Sequence, residues 1–438
     1  MLILAGVSIN LVVGNNGIIT KARDARDKTE QAKANEEQDL LRLQDELEIA
    51  LGEKEEPPAK VAVGNKATSN STIDGKYASA TNPIIPEGYI PIDTGTTSWG
   101  DGSSAPTEEN VNKGLVIKDE SGNEWVWVPV DNTTLAGMYE TASTPITLTG
   151  GGAITDETVL NPLKQIKISK YSKSITITNN DNSTTTKTRV LPNDTSSFRE
   201  PDVVVTSSGT SHDAVDTNRA TAGFTKTVGE TTTTMTLAEM ADMMRSEYET
   251  MIASIEKYHG FYIGRYELNV NGEEKTGATL TNKNWYYLYN QCKGLSASNK
   301  VMSRMIWGCQ WDVTCNWIAN YGDKKNISDS STWGNYSNYN TANSYSNGDT
   351  GYVSGAGSKQ NTGSSEYWKA NNIYDFAGNC YEWTQEANST SGRAIRGGRC
   401  SNFGSSYPAS DRFSGNPTGD VSSDLRFSSH FNSATLSN

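Results

Sequence analysis

The sequence predicts an α+β protein, poor in regular secondary structure and preceded by a long N-terminal α-helix. Three observations carry that prediction. Short runs of β-branched and aromatic residues, such as Leu115-Val116-Ile117 and Trp125-Val126-Trp127-Val128, are punctuated by Gly, Pro and Asp. One longer stretch repeats Leu237, Met240, Met244, Tyr248, Met251, Ile252 and Ile255 at helical spacing. The chain of 438 residues is only 35 % hydrophobic and 20 % charged, and much of the rest is Ser, Thr, Asn and Gly, which suits a loop-rich extracellular protein.

Taken in order, residues 1–13 are almost wholly apolar. They are too few to span a bilayer, which needs about 20 such residues, and lack the basic start and cleavage site of a secretory signal. A polar helical run follows to residue 52, with Ala22, Ala25, Ala32, Leu40, Leu43, Leu47 and Leu51 as a thin apolar stripe among interspersed charges. An apolar start leading into a long charged helix resembles the N-terminal stalk of type IV pilin-like proteins. Residues 1–52 are therefore expected to attach the chain to a membrane or a pilus. The other reading is an amphipathic helix packed on the body or on another chain. Residues 53–82, with Pro57-Pro58 and no periodicity, read as a linker.

The globular domain is expected over residues 83–434. Its first strand-like runs are Ile84-Ile85, Tyr89-Ile90-Pro91-Ile92 and the two quoted above. Residues 145–235 read as an insertion rich in Thr, Ser and Asn, with β-like runs at 166–177 and 203–205 and a hairpin tip at 179–187. The methionine-striped helix over 237–258 is expected to face the core. Gly260 ends it and a strand follows at 261–266. Two more helices are expected over 284–292 and 310–320, and residues 321–365 read as long surface loops.

A net charge of -13 argues against nucleic-acid binding, which needs basic patches. The five cysteines (Cys292, Cys309, Cys315, Cys380 and Cys400) show no CxxC spacing, and with only three histidines they argue against a zinc site. Their odd number defines no disulfide framework, leaving one or two bridges and free buried thiols both open. No GxSxG, P-loop or HExxH occurs.

The chain is organised around residues 372–431. Aromatics crowd its first half, with a natural fold-back at Ala377-Gly378-Asn379, because Gly and Asn tolerate positive φ. The run Tyr374-Asp375-Phe376-Ala377-Gly378-Asn379-Cys380-Tyr381-Glu382-Trp383, followed by Ile395-Arg396-Gly397-Gly398, resembles the signature of the formylglycine-generating-enzyme (sulfatase-modifying-factor) family. Glu124-Trp125-Val126-Trp127-Val128-Pro129, Gly260-Phe261-Tyr262-Ile263-Gly264-Arg265-Tyr266-Glu267 and Met305-Ile306-Trp307-Gly308-Cys309-Gln310-Trp311-Asp312 extend the resemblance over about residues 80–434. It implies a variant of the C-type lectin fold. Trp125, Trp127, Trp311 and Trp383 are accordingly expected in the core, where large aromatics dominate burial.

The resemblance also implies where chemistry would sit. The family's enzymes activate oxygen on copper with two cysteines placed shortly after the Arg-Gly-Gly. The matching positions here are Asn402 and Tyr407, and Cys400 is out of register. Thiolate chemistry needs the sulfur itself, so neither copper nor this activity is expected, and the chain is read as non-catalytic. The family's calcium site would map to Asn379, the Cys380 carbonyl and Glu382, hard oxygen ligands on a tight turn. Equally, Asn379 could cap the turn while Glu382 forms a buried hydrogen bond or ion pair.

Composition changes abruptly after Arg396. Residues 397–438 contain no Lys, Glu, Gln, Met or Trp. Those are the five residues that no codon ending in a pyrimidine can encode. At ordinary usage their absence over such a length has a chance of about one in ten thousand. Mutating the adenines of Asn codons yields only the permitted kinds. The segment resembles the variable region of diversity-generating-retroelement variable proteins, whose binding face sits on a C-type-lectin scaffold; the other reading is an ordinary Ser/Gly/Asn-rich loop, which would also be poor in Lys and Glu. The resemblance implies fixed anchors at Trp383, Arg396, Gly397, Gly398, Pro408 and Arg426. It implies ligand contacts at Arg399, Cys400, Ser401, Asn402, Phe403, Ser405, Ser406, Tyr407, Asp411, Phe413, Ser414, Asn416, Thr418 and Asp420, within a variable region of about 396–430. Tyr, Ser, Gly and Asn are also what adaptable binding loops use. The expected partner is a protein or glycan on another cell, a phage or a host, met at the cell surface. The alternative is a fixed calcium-dependent structural or carbohydrate-binding adhesin, and an enzyme of the formylglycine-generating family comes third.

Overall fold

A computed structural model describes residues 56–130, 212–295, 301–388 and 392–419, the side chains of 238, 241, 245 and 388 excepted. It also gives the backbone of short strands at 140–141, 164–165, 173–178, 184–189, 198–199, 425–426 and 429–433, and places Arg26 and Lys28 in helix. The rest of the expected stalk lies outside the described residues. The chain divides into two compact units, Met1–Pro57 and Pro58–Asn438.

The second unit mixes α-helices with several small sheets. Its larger sheet is six-stranded and antiparallel throughout. In chain order the strands are β1 (Ile90–Ile92), β2 (Val116–Lys118), β3 (Glu124–Pro129), β4 (Gly260–Gly264), β5 (Val301–Met305) and, after four strands of a second sheet, β10 (Ser429–Ser433). Across the sheet they run β5-β10-β4-β3-β2-β1. β3 and β4 are central and buried on both faces. That explains why their sequences, EWVWVP and GFYIG, carry large apolar residues without alternation. At Gly260 a Cβ would lie 2.2 Å from the Trp127 ring, so glycine there lets the indole lie across the neighbouring strand.

Helix α1 (Leu237–Tyr258) packs on β4 and β10. Thr236 opens it with a reciprocal capping box to Glu239, and His259 closes it at φ 59°. Met240, Met244 and Met251 are buried, as the helical spacing predicted for a core stripe. Helix α2 (Trp285–Lys293) is capped by Asn284, and helix α3 (Gly308–Asn320) runs from the Trp307 cap. The smaller sheet has β6 (Tyr381–Asn388) at its centre, flanked by β7 (Arg393–Arg396) and then β8 (Arg412–Gly415). On β6's other side lie the short strand Phe198–Arg199 and β9 (Leu425–Arg426), the latter parallel to it. α3 contacts β3 of one sheet and β6 of the other, joining the two cores. All ten tryptophans are buried, Trp125, Trp127, Trp311 and Trp383 among them.

Three expectations change. The linker over 53–82 does not hold beyond Pro57. Val61, Ala67 and Ile73 are buried in the core, and Ala59–Lys60 pairs with Ser71–Thr72. Apolar residues too sparse to show periodicity still pack when turns bring them inward. Ile84-Ile85 contributes only one isolated bridge, Ser71 to Ile85. Residues 321–365 are not simply surface loop, because Trp333, Tyr336 and Tyr339 are buried and 339–342 form a helical turn. Aromatics replace aliphatics there as core material. Within the insertion, Lys173–Thr178 pairs with Thr184–Arg189, so residues 184–187 of the expected tip are strand, while 203–205 lie outside the described residues. All five cysteines are buried as thiols.

Candidate ligand-binding face

The fold-back at 377–379 is the hub of this region. Gly378 and Asn379 take φ 78° and 55°, as their residue types predict. A Cβ at Gly378 would meet the Asn335 carbonyl at 2.2 Å. Around the turn, Asn335 N donates to the Ala377 carbonyl (3.1 Å), Gly378 N to Gly397 (2.8 Å), Asn379 N to Asn335 (2.9 Å) and Cys400 N to Asn379 (3.0 Å). One turn thus ties loop 335, the Arg-Gly-Gly segment and the start of the candidate variable region together.

The side chain of Asn379 is spent on the same task. Its Nδ2 donates to Glu267 (2.6 Å) and the Gln360 carbonyl (3.2 Å), while its Oδ1 accepts from Asn335 Nδ2 and Gln360 N, each at 2.9 Å. A side-chain amide has two donors and two lone pairs. All four are filled, so the Asn379 oxygen does not fit the role of a calcium ligand. The side chain cross-links Glu267, Asn335 and Gln360 to the turn. Cys380 is buried, and Glu382 is buried on β6, opposite Arg396 in the strand register. Among the described residues no cluster of three His, Cys, Asp or Glu could hold a metal ion.

Residues 397–419 are held largely by main-chain atoms. Gly397 and Gly398 have φ 82° and 72°. The buried Tyr336 hydroxyl lies 2.6 Å from the Gly397 carbonyl and 2.8 Å from that of Tyr407, closing the loop at its neck. Further round, Ser337 N and Oγ donate to the Asn402 carbonyl at 3.0 and 2.8 Å. Gly404 N donates to Asn338 Oδ1 at 3.2 Å, and the Gly404 carbonyl accepts from Ser330 N at 3.0 Å. Beneath the loop, Trp311 stacks on Phe376 (centroids 4.0 Å) and its Nε1 donates to the Ala409 carbonyl at 2.9 Å. At the far end Trp285 N donates to the Pro417 carbonyl at 3.1 Å, and the Thr418 hydroxyl lies 3.2 Å from His212 Nδ1. None of these bonds to the Asn402, Gly404, Tyr407, Ala409 or Pro417 main chain uses the side chain at that position.

Burial sorts the segment accordingly. Trp383, Arg396, Gly397, Gly398 and Pro408, the positions of the implied anchors, are buried. Arg426 is described only by its backbone, which pairs with Glu382 in β9. Among the expected contacts, Ser401, Phe403, Phe413 and Asn416 are exposed, and Arg399, Asn402, Ser405, Ser406, Tyr407, Asp411, Ser414 and Thr418 are half-buried. The Arg399 guanidinium sits 5.7 Å from the Tyr381 ring centre. Burial pushes the Tyr381 hydroxyl up to about 12, and Arg399 opposes that shift. Cys400 is the exception: it is buried at 3 % exposure, because its N–H is pinned to the hub turn. It belongs with the core, not the contacts. Asp420 lies outside the described residues.

The sequence reading missed a ring of buried charge under this face. Arg396 Nη2 is 2.5 Å from Asp312 on α3, and its Nη1 is 3.7 Å from Glu386 on β6. Arg412, directly opposite Arg396 in the β7–β8 register, reaches the same two carboxylates at 3.1 and 3.0 Å. Burial raises the Glu386 pKa, and Arg412 and Arg396 hold it down. Nothing in the local sequence distinguishes Arg412 from an exposed arginine. Its partners come from α3 and β6, far away in the chain. Two cavities, of about 570 and 180 Å³, lie elsewhere and include no residue of 397–419. Compared with known protein families, curated proteins and solved structures, the chain matches none.

Proposed function

We propose that this chain is a non-catalytic, surface-displayed ligand-binding protein whose C-terminal face is diversified by a retroelement. Its fold would be the C-type lectin variant of the formylglycine-generating-enzyme type, and residues 1–52 would attach it to a membrane or pilus. One observation carries the reading. Within the segment that lacks Lys, Glu, Gln, Met and Trp, Ser401, Phe403, Phe413 and Asn416 are exposed, while the main chain at Gly397, Asn402, Gly404, Tyr407 and Ala409 is hydrogen-bonded to residues 330–338. The exposed side chains of Ser401, Phe403 and Phe413 can change without removing those main-chain bonds, as an adaptable binding surface requires. Exposed Phe403 and Phe413 supply rigid contact area, and the neighbouring Ser and Asn supply adaptable hydrogen bonding.

The test is to sequence this locus from many cells of one population. Substitutions confined to codons from Arg399 to about residue 424, arising at template adenines beside a reverse transcriptase gene, are the expected result. A uniform segment would overturn the reading and leave a fixed adhesin in its place.

A further inference from the structure

Residues 397–419 contain two arginines, and codon chemistry treats them alike, since both belong to the set reachable from an Asn codon. Their surroundings differ. Arg399 is half-buried, with its guanidinium over the face of Tyr381. The Arg412 side chain is 7 % exposed and engages two carboxylates that are themselves at or below 1 %. Arg396 lies directly across the β7–β8 pair. Two guanidiniums at facing positions of neighbouring strands repel unless negative charge lies between them. Asp312 and Glu386 supply it, and the buried ring is neutral only with both arginines present. Without Arg412, two buried carboxylates would face one guanidinium, the kind of imbalance that buried sites tolerate worst.

We infer that Arg412 is a fixed positioning residue inside the changeable face: it seats β8 on α3 and β6, and it stays arginine while Asp411 and Phe413 on either side vary. The seating rests on the charge ring alone. The constancy among natural copies rests on the diversification reading. A lysine would not serve, because one ammonium cannot fork to both carboxylates as a guanidinium does.

The test randomises codons 411, 412 and 413 together with pyrimidine-ending codons in the full-length displayed chain. Clones are sorted for protease resistance with no ligand present. Arginine at 412 is expected to be enriched about tenfold or more over the input, while 411 and 413 stay near input composition. Because no ligand is present, that enrichment cannot come from a binding contact. Arg412→Ser combined with Glu386→Gln restores the charge balance and is expected to recover protease resistance that Arg412→Ser alone loses. Equal tolerance at the three positions, or no recovery in the double variant, would overturn the seating role. Population sequencing separates the two layers. Variation at 412 matching that at 411 and 413 sinks the inference and spares diversification. Uniformity across the whole segment sinks diversification and the constancy drawn from it, while the sorted library still decides the seating.

Discussion

Gly398→Ala is the sharpest probe of the scaffold beneath the face. Gly398 has φ 72°, a region that costs an L-residue about 1–2 kcal/mol. Its new Cβ would stand 2.2 Å from the Tyr407 carbonyl oxygen and 2.9 Å from the Tyr336 ring, where ordinary contact begins at 3.4 Å. The carbonyl must therefore retreat by more than 1 Å, which breaks its 2.8 Å contact with the Tyr336 hydroxyl. Losing a buried hydrogen bond adds about 1–2 kcal/mol, so the total destabilisation is about 3 kcal/mol. The ten buried tryptophans make intrinsic fluorescence a direct report of unfolding. In urea the variant's midpoint should fall with the slope unchanged, because the surface exposed on unfolding is the same. A loss below about 0.5 kcal/mol, the size of an ordinary surface change, would mean that the glycine pair does not hold the loop neck as described.

Three further outcomes follow from the same geometry. Phe403→Ser and Phe413→Ser, at 46 % and 53 % exposure, should each change stability by no more than about 0.5 kcal/mol in the same urea assay; a loss of 2 kcal/mol or more, typical of core aromatics, would make them scaffold. Burial pushes the Asp375 carboxyl up to about 7, against the Gly363 amide and Thr362 hydroxyl that favour its charged form. Its folded value thus exceeds the ordinary 3.8, so its contribution to stability is full below that pH and is lost as pH rises towards 7. Asp375→Asn keeps the acceptor oxygen and removes the titration, so its unfolding midpoint should decline less between those pH values than that of the unaltered chain; parallel declines would refute this. Burial also raises the Cys292 and Cys315 thiols, and all five cysteines are enclosed. A thiol reagent at pH 8 should therefore label the native chain slowly and five sites after unfolding, whereas one rapidly labelled native thiol would contradict the burial.

What the sequence determined by itself is local. The apolar period fixed α1 from Leu237 to Tyr258, since each turn of a helix is decided by neighbours a few positions away. Positive φ at Gly378 and Asn379 followed from residue type. The core tryptophans followed from size, and the codon bias after Arg396 belongs to the sequence alone. What only the tertiary structure decided depends on partners brought from far along the chain. Cys400 and Ser401 are adjacent, yet one is buried because its N–H reaches the 377–379 turn while the other is exposed. Asn379 has the chemistry of a calcium ligand until Glu267, Asn335 and Gln360 fill its amide. Arg399 and Arg412 are the same residue thirteen positions apart, and only Asp312 and Glu386 make the second part of the scaffold. A side chain's type limits which bonds it can make; the fold supplies the atoms that complete them.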